Sequence, residues 1–511
     1  MLSEAVAQAA HRHGHTPAVM VDGSGATWGE VHLASEALAA MLSARGIGAP
    51  QVVGLAMRPG PMWLVAATAV DRTGAAFAGL SPIATAPERA AMVKSIEPAL
   101  VLAEPDLADG LPLRTQVVVL ESDGAGLDSM GVTKAVAALG ATGEAAAPGA
   151  VASHGRTDER RYAICFTSGT TGDPRPAEYR VGAARAVERI DLGSSAAQSG
   201  GSGFEMISST QFAHVGFTLK VPWYARLGCT MHVMPRWRAD DAIELVAGRH
   251  MATLGVVAPQ LALILASDLL NERDLSALRL VIAGGAPSPP ALIAEARSRL
   301  GVDYSIRYSS TESGGVGLSA LVDDDNPDAV GTIGVPRPGV QARVAEPDGS
   351  PAPAGEVAEL QILSPATMTG YLGAPEATAA AFTADGWLRT GDLALVREDG
   401  RFVLAGRGSD MYIRGGYNVH PEEVEAVLGT HPAVAAVAVA ARPDDVMGEV
   451  GVAVVVPAAG STPPTLEQLR AHAAGELARH KLPEGLVVAS SLPLNDAEKL
   501  DRRRLAEMLG S

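Results

Sequence analysis

The chain has 511 residues, 47% of them hydrophobic and 19% charged, with a formal net charge of −17. That length exceeds one ordinary core, so two or more domains are expected, and the composition excludes a disordered chain. The negative balance argues against general binding to nucleic acid or to an anionic membrane surface, so an anionic ligand needs local cations and aimed backbone amides.

The first stretch, "MLSEAVAQAAHRHGH", has neither a basic n-region nor an apolar h-region, and no run of about 18 apolar residues occurs anywhere. Only Cys165 and Cys229 are present, which excludes a disulfide framework and suits a reducing compartment; a cytoplasmic location is expected. His11, His13 and His15 have no acidic or cysteine partner nearby in sequence and read as an exposed terminal segment rather than a metal tract. Apolar runs then alternate with amphipathic stretches: 52–57, 62–74, 75–82 and 86–104. That alternation predicts parallel α/β layers. Residues 104–160 are richer in Ala, Gly and Asp and read as a variable surface region. "RYAICF" (161–166) predicts a short buried strand, and 230–235, 252–259 and 278–287 continue the alternation. From about 330 the turn signals and short runs predict antiparallel strands. From about 406 the pattern is helix, turn and strand over 420–445, a strand over 450–458, and an amphipathic helix over 465–485.

"FTSGTTGDPRP" (166–176) follows the predicted strand. Its hydroxyls and backbone amides converge on one point, which suits phosphate oxygens, and Arg175 adds a cation able to bind bidentately. It is not a Walker loop, because G-x-x-x-x-G-K-[ST] is absent. "YSSTE" (308–312) sets the Thr311 hydroxyl beside the Glu312 carboxylate, a pair suited to phosphate and Mg²⁺; a plain helix cap is the alternative. "WLRTGDLA" (387–394) offers Asp392 on a tight turn, able to accept from a ribose diol. Arg407 and Asp410 open "GRGSDMYIRGGYNVHPEEVE" (406–425); a surface ion pair of little consequence is the alternative there.

Together these stretches resemble the adenylate-forming superfamily of acyl-CoA synthetases, nonribosomal adenylation domains and luciferases. The resemblance extends over nearly the whole chain and includes "FAHVG" (212–216), "GGAPSP" (284–289), "GYLGAPEATAAAFTADGWLRTGD" (370–392) and "LPLNDAEKLDRRRL" (492–505). It implies a large N-terminal domain (1–408) of α/β layers plus a distorted β-barrel-like part. A small mobile C-terminal α+β domain (409–511) follows. By the same resemblance Thr167, Ser168, Gly169, Thr170, Thr171 and Gly172 form the phosphate loop. Thr311 and Glu312 contact phosphate and Mg²⁺, with Glu312 as the metal ligand. Tyr308 and Gly285, Ala286 and Pro287 sandwich the adenine, with Ser309 beside them. Asp392 and Arg407 hold the ribose, and His214 lines the acyl pocket near the reaction centre. Gly415 and Gly416 approach the pantetheine arm of CoA. Lys499 is the lysine that bridges carboxylate and α-phosphate.

The implied activity is activation of a hydrophobic or aromatic carboxylic acid with ATP to an acyl-adenylate, then transfer to CoA, giving acyl-CoA, AMP and pyrophosphate. A carrier protein in place of CoA and a catalytically silent binding homologue are the alternatives, and a homodimer stays open. Four positions depart from the pattern. Pro176 follows Arg175 where Gly is usual and stiffens the loop. Ser309 stands for a common Gly, Glu498 precedes Lys499 in place of Gly, and Ser409 sits at the usual hinge position. "DRRRL" (501–505) could reach phosphates or form the solvated face of a terminal helix. No G-x-S-x-G occurs, which excludes the common serine-hydrolase motif.

Overall fold

The computed structural model describes residues 1–112, 116–120, 157–167, 175–193, 203–208, 211–285, 288–407, 411–414, 417–444, 447–474, 476–477, 479–495 and 499–509. They form two compact units. The larger comprises Met1–Val330, Gly334–Ala342 and Ile362–Leu388, and the smaller Gly331–Ile333, Arg343–Gln361 and Arg389–Ser511. The boundary expected at 408/409 falls outside the described residues.

The larger unit is organised by a seven-stranded sheet. Its order is Gly370–Tyr371, Pro176–Arg180, Arg161–Phe166, Ala76–Leu80, Val52–Ala56, Leu100–Ala103 and Val117–Val119. From Arg161–Phe166 onward the neighbours run parallel, whereas Pro176–Arg180 and Gly370–Tyr371 are antiparallel additions. The parallel strands read VVGLA, AFAGL and LVLA and are buried at every position, as strands covered on both faces must be. Pro61 starts the helix Pro61–Thr73 and Gly74, at φ 87°, ends it. With few aromatics available, several are concentrated in one place. Trp63 meets Phe77, Phe212 and Phe217 edge-on at 5.4–5.7 Å, joining this sheet to the 212–217 segment.

A second sheet has the order Thr253–Val256, Leu280–Gly284, Asp303–Tyr308, Leu318–Val322 and Val335–Pro336, the first three parallel and the last two antiparallel. Val281, Ala283, Tyr304, Ala320 and Val322 pack on one face with residues of the helices Ala239–Gly248, Ala258–Ala266 and Pro290–Leu300. A four-stranded sheet of Ser24–Thr27, Pro17–Val21, Thr230–Val233 and Glu205–Ser208 completes the unit's sheets among the described residues.

The smaller unit holds most of a half-barrel sheet, ordered Gln341–Ala345, Ala358–Leu363, Leu388–Val396 and Phe402–Arg407, and a C-terminal sheet centred on Gly448–Pro457. Period-two alternation divides the two faces of that C-terminal sheet. Val439, Ala453 and Val455 pack against Val424, Leu428 and Leu469 of the helices Pro421–Leu428 and Leu466–Ala473. Ala438 and Val454 pack against Leu505 of Arg502–Met508. The fold class is therefore the expected one: α/β layers, a barrel-like sheet and a small C-terminal α+β part.

Two local expectations change, and one element is added. The helix expected over 465–485 is Leu466–Ala473 followed by a single 3-10 turn, Arg479–Lys481; Gly475 interrupts the periodic stretch, and glycine is a poor helix residue. Before the helix at 421 stands an antiparallel pair, Tyr412–Arg414 with Tyr417–Val419. Asp392 lies within the nine-residue strand Leu388–Val396 rather than on a turn after it, with Gly391 at φ 71° just before it. Among the described residues no helix is long and apolar enough to cross a membrane.

Candidate active site

Strand Arg161–Phe166 and strand Pro176–Arg180 pair antiparallel, so the Ser/Thr/Gly loop is the connection of a hairpin, closed at its base by the Thr167 N–H donating to the Arg175 carbonyl at 3.0 Å. Thr167 is buried there, and Arg175 is exposed with its guanidinium 5.7 Å from the centre of the Tyr371 ring. Ser168, Gly169, Thr170, Thr171 and Gly172 lie outside the described residues. Pro176 opens its strand opposite Phe166, a first-residue position where proline is tolerated, and its carbonyl accepts from the Leu372 N–H at 2.8 Å.

After Tyr308 the chain leaves its strand in a tight turn and not a helix, so the helix-cap alternative for "YSSTE" does not hold. Ser310 and Ser313 brace this turn. The Ser313 hydroxyl accepts from the Ser310 N–H at 2.9 Å, and the Ser310 hydroxyl accepts from the Ser313 N–H at 3.1 Å. Gly314, at φ 77°, is required: a Cβ would stand 2.1 Å from the Ala366 carbonyl oxygen. The Glu312 carbonyl accepts from the Met368 N–H at 2.9 Å, and the Thr311 carbonyl accepts from the buried Tyr179 hydroxyl.

The Tyr371 hydroxyl donates to Glu312 Oε1 at 2.8 Å. The side chains thus form a chain, Arg175 over Tyr371 and Tyr371 to Glu312, which ties the hairpin loop to the Thr–Glu turn. Burial pushes the Tyr371 phenol well up from its ordinary value and the Glu312 charge adds to this, with Arg175 opposing. Tyr179 is also raised, by burial first. Both phenols are therefore held as donors. Tyr371 stands out in "GYLGAPEAT" by no signal of its own, because nothing in one sequence shows which carboxylate a tyrosine will meet.

His214 opens the four-residue helix Val215–Thr218, where its carbonyl accepts from the Thr218 N–H at 2.9 Å. This segment reaches the turn: a Cβ on Gly315 would be 3.5–3.6 Å from Val215 and Gly216. Tyr308 is buried and Ser309 exposed. Gly285, at φ 79°, follows Gly284, which pairs with Arg307 just before Tyr308. Ala286 and Pro287 lie outside the described residues. The larger unit therefore brings together Thr167, Arg175, Thr311, Glu312, Tyr308, His214 and Gly285.

In the smaller unit Asp392 is buried and stands opposite Arg407 in the antiparallel register of Leu388–Val396 with Phe402–Arg407. The Thr390 hydroxyl accepts from the Asp392 N–H at 3.1 Å. Lys499 is exposed at the end of a narrow loop. Asn495 receives its N–H at 3.1 Å and donates its own to the Lys499 carbonyl at 2.7 Å, with Leu494 bridged to Leu500. Glu498, Ser409, Asp410, Gly415 and Gly416 lie outside the described residues. The basic run is occupied within its own unit: Arg502 donates to Glu425 at 2.7 Å, and Arg503 pairs with Glu507 at 2.9 Å.

A larger α/β unit that carries the Arg175–Tyr371–Glu312 chain and a smaller unit that bears Lys499 make up a fold shared with proteins solved with ATP bound. The ATP-bound structure of MatB from Rhodopseudomonas palustris matches this chain with a TM-score of 0.86 at 26% identity, over 99% of each chain. The chain belongs to the AMP-binding enzyme family: that family matches residues 6–372, and the AMP-binding enzyme C-terminal domain matches residues 423–499. The indoleacetate–CoA ligase of Aromatoleum aromaticum is 33% identical over 348 residues, covering 67% of this chain and 66% of that one. The fatty acid–[acyl-carrier-protein] ligase ScoC of Streptomyces coeruleorubidus is 31% identical over 366 residues, covering 69% and 68%. These matches span about two thirds of each relative's own length. Family and relatives support an acid–thiol ligase that uses ATP, with CoA as the thiol in CoA-ligase relatives.

Proposed function

We propose that this chain activates a carboxylic acid with ATP and passes the acyl group to CoA. The observation that carries this reading is the Arg175–Tyr371–Glu312 chain, which puts a cation and an oriented carboxylate on either side of one phenol next to a phosphate-type loop. A carboxylate oxygen of the acid attacks the α-phosphorus, a P–O bond to the β-phosphate breaks, and pyrophosphate leaves with the electron pair. The thiol sulfur then attacks the acyl carbon, AMP departs, and the thiol proton passes to solvent. The first step demands positioning and charge neutralisation above all.

In this reading Thr167 and the loop at 168–172 receive the β- and γ-phosphates, with Arg175 adding charge. Tyr308 and Gly285 to Pro287 hold adenine, and Asp392 and Arg407 hold ribose. His214 lines the acid's pocket, and Gly415 and Gly416 admit the pantetheine arm. Lys499 neutralises the acid's carboxylate and the α-phosphate.

The residues fit a single-carboxylate Mg²⁺ site. Glu312 Oε1 is engaged by Tyr371, whereas Oε2 makes no hydrogen bond among the described residues. Mg²⁺ characteristically takes one or two carboxylates with phosphates and waters. When bound, it supplies neutralisation of phosphate charge. Tyr371 holds the carboxylate plane, and Tyr179 fixes the backbone that carries it. Two buried free cysteines fit a cytoplasmic setting. A carrier protein's thiol is the second reading, favoured by the likeness to ScoC.

The test is mass spectrometry of the purified protein with ATP, Mg²⁺ and pooled aliphatic, aryl and dicarboxylic acids, with and without CoA. Acyl-CoA from one acid is expected. Acyl-AMP that accumulates despite CoA would favour the carrier-protein reading, and no product from any acid would overturn the proposal.

A further inference from the structure

On the face of Asp303–Tyr308 away from the helix-covered core lies a partly buried cluster of charge that does not balance. Asp191 lies in the last turn of the helix Val181–Leu192 and is buried. Its Oδ1 accepts from Arg337 Nη1 at 2.7 Å, its Oδ2 accepts from Trp223 Nε1 at 3.2 Å, and Lys220 Nζ stands 3.5 Å away. Arg337 is 5% exposed; its Nη2 donates to the Ile190 carbonyl at 3.1 Å, and its Nε is buried with no partner among the described residues.

Arg307 completes the cluster. Tyr304 and Ile306 on its strand pack into the helix-covered core, so Arg307 is directed to the opposite face. There it interacts electrostatically with Asp191 and Arg337, and its guanidinium makes no hydrogen bond or ion pair among the described residues. Burial lowers its pKa to about 10, helped by Arg337 and opposed by Asp191. Lys220 is lowered as well, by burial first, with Arg337 and Arg307 adding to it. Asp191 is held below its ordinary range even though burial works the other way, because Lys220, Arg337 and Arg307 surround it.

Three cations therefore share one carboxylate among the described residues. A buried charge without a partner is costly, and an ion cluster that served only packing would balance its charges. The location gives the surplus a use. Arg307 stands two residues before Ser309, Lys220 ends the segment that begins at His214, and the Arg337 N–H donates to the Gly317 carbonyl at 3.1 Å, at the foot of the Thr–Glu turn.

We infer that the acid accepted by this site carries a second carboxylate, received by Arg307 with Arg337 Nε and Lys220 beside it. This rests on the acid-activating function proposed above and narrows the expected hydrophobic or aromatic acid to one with an anionic far end. Desolvated guanidinium and carboxylate groups discriminate strongly, because an uncharged analogue leaves the cation unpaired.

The test is ATP–pyrophosphate exchange by the full chain with matched acids: succinate against butyrate, glutarate against valerate, and phthalate against 2-methylbenzoate. At least one dicarboxylate is expected to exceed its partner in kcat/KM by about 10-fold or more. In Arg307→Met that ratio should fall by on the order of 100-fold, Arg307→Lys should recover part of it, and KM for ATP should stay put. A merely structural Arg307 would lower both acids of a pair equally, which would overturn the inference. Exchange with monocarboxylates alone would overturn it too while leaving acid activation standing; no exchange with any acid would overturn both.

Discussion

The two units hold their key side chains by opposite means. In the larger one, Glu312 is fixed from several directions: Tyr371 on the carboxylate, Met368 on the carbonyl, Tyr179 on the preceding carbonyl, and a turn that requires Gly314. In the smaller one, Lys499 is exposed, and its backbone is held through Asn495 and the Leu494–Leu500 bridge. A carboxylate that must orient phosphates gains from rigidity. An exposed side chain on a held backbone suits the role proposed for Lys499 in adenylation.

The largest effect separates the two directly. Lys499→Ala should lower adenylate formation by about 100- to 1000-fold, the usual scale for losing one transition-state cation, while conversion of a supplied acyl-adenylate to acyl-CoA falls far less. Equal loss in both steps would make Lys499 a structural residue. The rigid side is tested next at its foundation. Asp71 is buried and accepts from Ser3 N–H at 2.9 Å, from the Ser3 hydroxyl at 2.8 Å and from Arg160 at 2.5 Å. Asp71→Asn should destabilise the larger unit by about 3 kcal/mol in denaturant titration, the scale for breaking a buried charge pair.

Although its burial favours the neutral form, the Met1 ammonium and Arg160 hold the Asp71 carboxyl well below the usual range. Its contribution is thus complete above the ordinary carboxylate pKa and is lost as pH falls through the folded value; wild type should weaken steeply below about pH 4, and Asp71→Asn less so.

The smallest change probes the linkage itself. Tyr371→Phe keeps the ring under Arg175 but removes the donor to Glu312. A rise of about 3- to 10-fold in the Mg²⁺ needed for half-maximal exchange is expected, about one hydrogen bond's worth, with the melting temperature nearly unchanged. No change would mean that the turn alone orients Glu312.

How much of this could be read beforehand follows the same division. The strands 161–166, 230–233, 253–256 and 280–284 were legible because largely buried strands are short apolar runs bounded by turns. The hairpin loop, the Thr–Glu pair and Lys499 were legible as motifs. Long-range partners were not. Tyr371 to Glu312 spans 59 residues and Arg337 to Asp191 spans 146, and neither periodicity nor spacing reports such pairings. The Leu388–Val396 strand was misjudged at Asp392 because "RTGD" carries a turn signal that the half-barrel absorbs as a bend at Gly391. Asp191, Lys220 and Arg337 are far apart in sequence, and only the fold brings them together.

The most direct test of the central claim is the fate of the acid's own oxygen. The acid that gives product should be prepared with both carboxyl oxygens as ¹⁸O and turned over with ATP and CoA, and the AMP weighed by mass spectrometry. Attack of the carboxylate on the α-phosphorus predicts one ¹⁸O in each AMP and unlabelled pyrophosphate. AMP without label, or ADP as the nucleotide product, would contradict activation through an acyl-adenylate.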